Sequence, residues 1–146
     1  MKEVTPQEAH DLMSADPGYI YLDVRSIPEF EAGHAPGAIN IPLMHLAPGA
    51  GMSPNPDFAA VVEASLPKDA KLVVGCKMGG RSARACEIMS QMGYTNVANI
   101  RGGFVGAVDN FGRVIDPGWS MLNLPTCADC KDDDRYDTLA AKSRGA

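Results

Sequence analysis

Cys76 and Arg81 bracket the stretch of this chain best suited to chemistry, Val73-Val74-Gly75-Cys76-Lys77-Met78-Gly79-Gly80-Arg81-Ser82. An apolar run ends there, a glycine-rich turn follows, and a helix-forming segment begins. At a strand-to-helix junction the first backbone N–H groups of the helix lack intrahelical partners. The helix dipole adds partial positive charge at the same place, so the junction forms a seat for an anion. Gly79 and Gly80 allow the backbone to curl with its amides pointing inward. A thiol in that seat is favoured in its ionised, nucleophilic form. Lys77 and Arg81 add positive charge, and the Arg81 guanidinium suits a planar two-point grip on an oxyanion. These residue types name Cys76 as a catalytic nucleophile. Lys77, Met78, Gly79, Gly80, Arg81 and Ser82 are the candidate substrate-binding residues.

The elements that must position this loop are readable around it. Thr5-Pro6 with Glu8 reads as a capped helix start running to about Ala15. Residues 19–24 are aromatic and β-branched, a strand pattern. Ser26-Ile27-Pro28-Glu29 repeats the cap-then-Pro signal for a short helix, and residues 38–41 read as a second strand. A short helical turn is expected at 44–46, followed by an open loop. Phe58, Val61, Val62 and Leu66 recur at helical spacing. Residues 71–75 form a buried-type strand and 81–92 a helix, with Gly93 as its C-cap. A further strand is expected at 96–100 and a short helix at 103–108. Strands alternating with helices predict an α/β domain with a central, mostly parallel sheet and helices on both faces.

A chain of 146 residues with 45% hydrophobic and 21% charged residues fits one globular domain. A net charge of -5 without a basic cluster argues against nucleic-acid binding. No stretch has the length of a membrane span, and the first residues lack a signal-peptide core. A cytoplasmic location with reduced thiols is expected.

Several separated motifs, in order, resemble the rhodanese family of sulfurtransferases. They are Leu22-Asp23-Val24-Arg25, the stretch Glu29 to Pro42 with Gly33-His34-Ala35-Pro36-Gly37 inside it, the loop from Cys76 to Ser82, Gly93-Tyr94, and Arg101-Gly102-Gly103-Phe104. The resemblance implies a single rhodanese-like α/β domain over residues 1–125. It also implies sulfur transfer through a Cys76 persulfide, with no cofactor. The implied donor is a small anion such as thiosulfate. The implied acceptor is a thiol or cyanide, with a thioredoxin-like protein among the candidates. Asp23 and Arg25 are expected to form an ion pair that supports the loop, and His34 to be a hydrogen-bonded structural residue. The competing readings are a rhodanese-fold cysteine phosphatase or arsenate reductase, and a non-catalytic rhodanese-like interaction module. The phosphatase-type loop is longer than the four residues between Cys76 and Arg81. A tighter loop suits one sulfur atom better than a tetrahedral oxyanion.

Residues 126–146 are expected to form a polar, mobile C-terminal tail. It carries Cys127-Ala128-Asp129-Cys130. No second Cys pair completes a zinc site, so no metal is expected. A sulfur-relay or redox role is open to Cys127 and Cys130.

Overall fold

A computed structural model describes residues 2–47, 49–128 and 134–145. Its elements are β1 (Lys2–Val4), α1 (Pro6–Ala15), β2 (Tyr19–Asp23), α2 (Ile27–Ala32), β3 (Ile39–Asn40), β4 (Met44–Ala47) and β5 (Gly51–Pro54). They continue with α3 (Phe58–Ser65), β6 (Lys71–Gly75), α4 (Gly80–Gln91), β7 (Val97–Ile100), β8 (Gly106–Val108), β9 (Val114–Pro117) and α5 (Tyr136–Ser143). The Thr5 hydroxyl accepts from the Glu8 amide at 3.1 Å, and the Thr5 amide donates to the Glu8 carboxylate at 2.8 Å. This reciprocal pair fixes where α1 begins.

Five strands make one parallel sheet in the order β1-β7-β6-β2-β3. Its side chains feed two cores. Leu22, Val24, Leu72 and Val74 pack with α3, α4 and α5, while Tyr21, Val73, Ala98 and Ile100 pack with α1, α2 and Trp119. Burial on both faces explains why the central strands read as unbroken apolar runs. The α/β architecture is therefore the one expected, and β6 leads straight into the cysteine loop. Among the described residues, no helix is long and apolar enough to cross a membrane.

Three expectations differ from the structure. Residues 44–46 form no helical turn: β4 pairs antiparallel with β5, Met44 opposite Pro54 and Ala47 opposite Gly51. Nearly all of that hairpin is exposed or half-buried, so it carries no alternation to read. Residues 103–108 form no helix either. Gly102, Gly103 and Gly106 hold positive φ angles, which break a helix, and β8 pairs antiparallel with β9. The chain beyond Pro125 is not a detached tail. Tyr136 and Ala140 of α5 are buried in the core beside α3, and Asn55 donates to the Tyr136 hydroxyl at 3.2 Å. Two apolar contacts per short helix leave its sequence polar overall, which hid the docking.

Candidate active site

The end of β6 delivers Cys76 to the start of α4, with the thiol buried and the rim residues Lys77 and Met78 exposed. The Gly79 amide donates to Cys76 Sγ at 3.0 Å, and the Ser82 hydroxyl lies 3.3 Å from the same sulfur. Gly79, the N-cap of α4, has φ 111°, a value that suits glycine. The loop thus turns one backbone amide and one hydroxyl onto the sulfur, at the positive end of a twelve-residue helix.

The 103–106 segment anchors the loop from outside. The Phe104 amide donates to the Cys76 carbonyl at 2.8 Å, and the Val105 amide donates to the Lys77 carbonyl at 2.9 Å. With these two carbonyls held outward, the loop amides are free to face inward. A side chain at Gly103 would collide with the Cys76 carbonyl oxygen, so Gly103 is a packing requirement of the loop, while a side chain at Gly102 would meet the Pro117 carbonyl instead.

Asp23 and Arg25 form the expected ion pair, 2.7 Å apart and buried. Arg25 also donates to the Gly33 carbonyl at 2.7 Å, and its guanidinium lies 4.4 Å from the centre of the Phe104 ring. The pair therefore braces the residue whose amide holds Cys76. Arg25, Glu29, Gly33, Lys77, Phe104 and Val105 line a shallow cavity of about 260 Å³ beside the loop.

Arg81 does not hold its guanidinium open for an oxyanion. Its two terminal nitrogens donate to the two Glu29 carboxylate oxygens at 2.8 and 2.9 Å. Burial pushes the Glu29 carboxyl up, but hydrogen bonds from Arg81 and Ser26 outweigh it and hold the group at about 2. Lys77, by contrast, makes no salt bridge among the described residues, so it is the open cation at the rim. Gly80 sits exposed at the helix start and Ser82 is buried under the sulfur.

Two further residues belong to the site. Asn99 on β7 accepts from the Ser82 hydroxyl at 2.5 Å, and its amide reaches Glu3 at 3.2 Å. A polar side chain inside a strand that a parallel sheet buries was the available signal for Asn99. For Glu29, the signal was a carboxylate three residues after Ser26 in the helix that leads to Gly33-His34. Cys86, on α4, faces the core, where burial pushes its thiol up to about 12 and leaves it unreactive. Cys127 is disulfide-bonded and pairs its backbone with His34. Cys130 lies outside the described residues.

A parallel α/β domain that seats one buried cysteine at a strand-to-helix turn, with the Gly79 amide and the Ser82 hydroxyl on its sulfur, defines the class of fold and site. Within it, residues 5–110 match the rhodanese-like domain family, and this chain belongs to that family. It is 41% identical over 120 residues to thiosulfate sulfurtransferase 16, chloroplastic, from Arabidopsis thaliana, covering 82% of this chain and 88% of that one. It is 38% identical over 118 residues to the protein HIGH ARSENIC CONTENT 1, mitochondrial, from the same plant, covering 75% and 69%. The crystal structure of Rv0390 from M. tuberculosis superposes with a TM-score of 0.73 at 25% identity, covering 88% of this chain and 98% of that one.

Proposed function

We propose that this protein is a sulfurtransferase that carries sulfane sulfur on Cys76 from an anionic donor of the thiosulfate type to a thiol or cyanide. The observation that carries the reading is the Gly79 amide aimed at Cys76 Sγ at 3.0 Å, inside a loop sized for one sulfur. Family membership and a 41% identical relative named a thiosulfate sulfurtransferase support the reaction class.

The Cys76 thiolate attacks the outer sulfur of thiosulfate. The sulfur–sulfur bond breaks, its electron pair leaves with sulfite, and Cys76 holds a persulfide. An acceptor thiolate or cyanide then attacks the outer sulfur, and the electron pair returns to Cys76. The loop amides and Ser82 stabilise sulfur anions in both steps, as fixed donors that need no reorganisation. Lys77 draws the donor to the rim, while Arg81 holds the loop through Glu29. A thioredoxin-like protein is one thiol acceptor that could dock beside the exposed Lys77 and Met78. The relatives that carry organelle names give no support to the expected cytoplasmic location.

The test is intact-protein mass spectrometry after thiosulfate treatment, with transfer to cyanide followed in parallel. Cys76 is expected to gain one sulfur, and Cys76→Ser to gain none and transfer none. Full transfer by Cys76→Ser would overturn the assignment, and a chain that gains no sulfur would be a non-catalytic module. The relative named for high arsenic content makes arsenate reduction the reading to run beside it. Reduction of arsenate with glutathione, by a protein that takes no sulfur from thiosulfate, would replace the sulfur reading with that one.

A further inference from the structure

Glu29 holds the guanidinium that closes the Cys76 loop, and it holds it in a fixed way. The two terminal nitrogens of Arg81 donate to the two Glu29 oxygens at 2.8 and 2.9 Å, an end-on fork. The carboxylate also accepts from the Ser26 amide at 3.1 Å and from the Ser26 hydroxyl at 2.8 Å, so the start of α2 pins it in place. Burial raises the Glu29 carboxyl, yet the Arg81 and Ser26 hydrogen bonds hold it at about 2, which keeps it ionised throughout the neutral range. Both side chains are mostly covered, so water screens the pair weakly and the two charges largely cancel. Arg81 lies between Gly79 and Ser82, the two residues on the Cys76 sulfur. Hydrogen bonding to Glu29 is the largest influence on its guanidinium, and Cys76 acts on it as well, which places the fork within electrostatic reach of the sulfur. Glu29 also lines the cavity beside the loop, together with Lys77 and Phe104.

Two kinds of anion compete for a seat of this type. A sulfane donor sets a single sulfur against Cys76 and leaves its charged group one bond further out, toward Lys77 at the rim. Phosphate or arsenate sets its central atom against Cys76 instead and brings its oxygens into the loop. Such a dianion needs a planar two-point grip as counter-charge, and Arg81 is the residue suited to give it. We propose that Glu29 is a specificity-determining residue, which fills the Arg81 fork and so denies the inner seat of the loop to tetrahedral oxyanions while leaving it open to one sulfur. What the seat admits rests on the sulfur-transfer reading, whereas what it excludes stands on the Glu29–Arg81 geometry. To grip a phosphate, Arg81 must leave a carboxylate that stays charged and keeps only its Ser26 bonds. A half-buried anion is then stranded beside an incoming dianion, which is costly. Glu29 acts as a built-in competitor for the guanidinium.

The probe is inorganic phosphate, titrated calorimetrically at neutral pH and low salt into the full chain, Glu29→Gln, and the double variant Glu29→Gln with Arg81→Gln. Glutamine at position 29 keeps an oxygen for Ser26 and one Arg81 nitrogen, but it removes the negative charge and frees the other nitrogen. Glu29→Gln is expected to bind phosphate at least about tenfold more tightly than the parent, the worth of one charge-assisted hydrogen bond. The double variant is expected to lose that gain and return to the parent's affinity. Equal affinity in the parent and Glu29→Gln would overturn the assignment, and so would a gain that survives the loss of Arg81. Should Glu29→Gln fail to fold by circular dichroism, the double variant decides, because it removes both charges together. It is expected to match the parent; binding about tenfold weaker than the parent's would show that Arg81 already grips anions there, and would overturn the assignment. Persulfide formation is measured separately on the parent, and its absence would strike the sulfur reading while the phosphate comparison still decides the role of Glu29.

Discussion

Tyr21 presents the least accommodated polar atom near the loop. Among the described residues, its hydroxyl is the buried side-chain group without a hydrogen-bond partner. Burial first, then the Asp23 charge, pushes its phenol well above the usual range, so it remains neutral. A Cβ built on Gly75 would lie 2.5 Å from that hydroxyl oxygen. Gly75 immediately precedes Cys76, so the residue that feeds Cys76 into its loop must be small because a tyrosine fills the space beneath it. Gly75→Ala is expected to cost about 1–3 kcal/mol by overpacking. Tyr21→Phe removes an unpaired buried hydroxyl and is expected to be neutral or stabilising. The double variant should recover most of the Gly75→Ala loss, because the ring edge can shift once the hydroxyl is gone. Thermal unfolding of the four proteins measures the coupling. Additive effects would mean that the two residues do not compete for space. The same logic applies at Gly103, where a methyl meets the Cys76 carbonyl in a backbone with φ 60°. Gly103→Ala is expected to remove persulfide formation while leaving a folded chain by far-UV circular dichroism.

Between elements, the Glu29–Arg81 pair ties α2 to the first turn of α4. Its side chains are 20% and 16% exposed, which places it between a surface and a buried ion pair. Glu29 has an ordinary value near 4.5 and is held at about 2 in the fold. A carboxyl lowered on folding contributes its full stabilisation above the ordinary value and loses it as pH falls toward the folded one. The stabilisation from Glu29 is therefore expected to disappear between about pH 4.5 and about pH 2. A shift of that size corresponds to on the order of 3 kcal/mol. Urea unfolding of the parent and of Glu29→Gln at pH 5 and pH 3 tests this. The gap between the two is expected to narrow in acid, and a gap independent of pH would exclude the linkage. The pair also marks where reading the sequence stops. The turn at Cys76 and the Asp23–Arg25 ion pair were legible because residue types and local spacing set them. The partner of Arg81 was not legible, since Glu29 is fifty-two positions away and only the β2-to-α2 turn brings it across. Asn99 was hidden for the same reason: its role depends on β7 lying beside β6.

At the scale of the whole molecule, β2, β3, β6 and β7 of the sheet were legible from their apolar residues, whereas β1, with Lys2 and Glu3 exposed, the two hairpins and α5 were not. The hairpins hold exposed side chains such as Phe111 and Ile115, which carry no burial pattern. The case of α5 is different, because its stability comes from a few contacts made across a long loop of chain. Tyr136 is buried against α3, its hydroxyl accepts from Asn55, and its ring lies 5.5 Å from that of His45. Ala140, one turn later, fills the space between the helices with 2% exposure. Asn55 also donates to the Pro42 carbonyl at 2.9 Å, so the C-terminal helix is tied to the segment that turns from β3 into β4. A polar terminal segment is then a structural part of the domain. Ending the chain at residue 134 is expected to expose Val61 and Val62 of α3 and leave Asn55 with one partner fewer. Losing a buried aromatic in this way costs on the order of 3 kcal/mol, which lowers the melting temperature by roughly 10 °C for a domain of this size. Tyr136→Ala should account for most of that loss, and Tyr136→Phe for about 1 kcal/mol through the hydrogen bond alone. Well below its melting temperature the shortened protein is expected to form the Cys76 persulfide at the parent rate, because α5 packs chiefly on α3. Calorimetry and a rate measurement on the same samples separate the two effects: an unchanged melting temperature would show that α5 is not part of the cooperative fold.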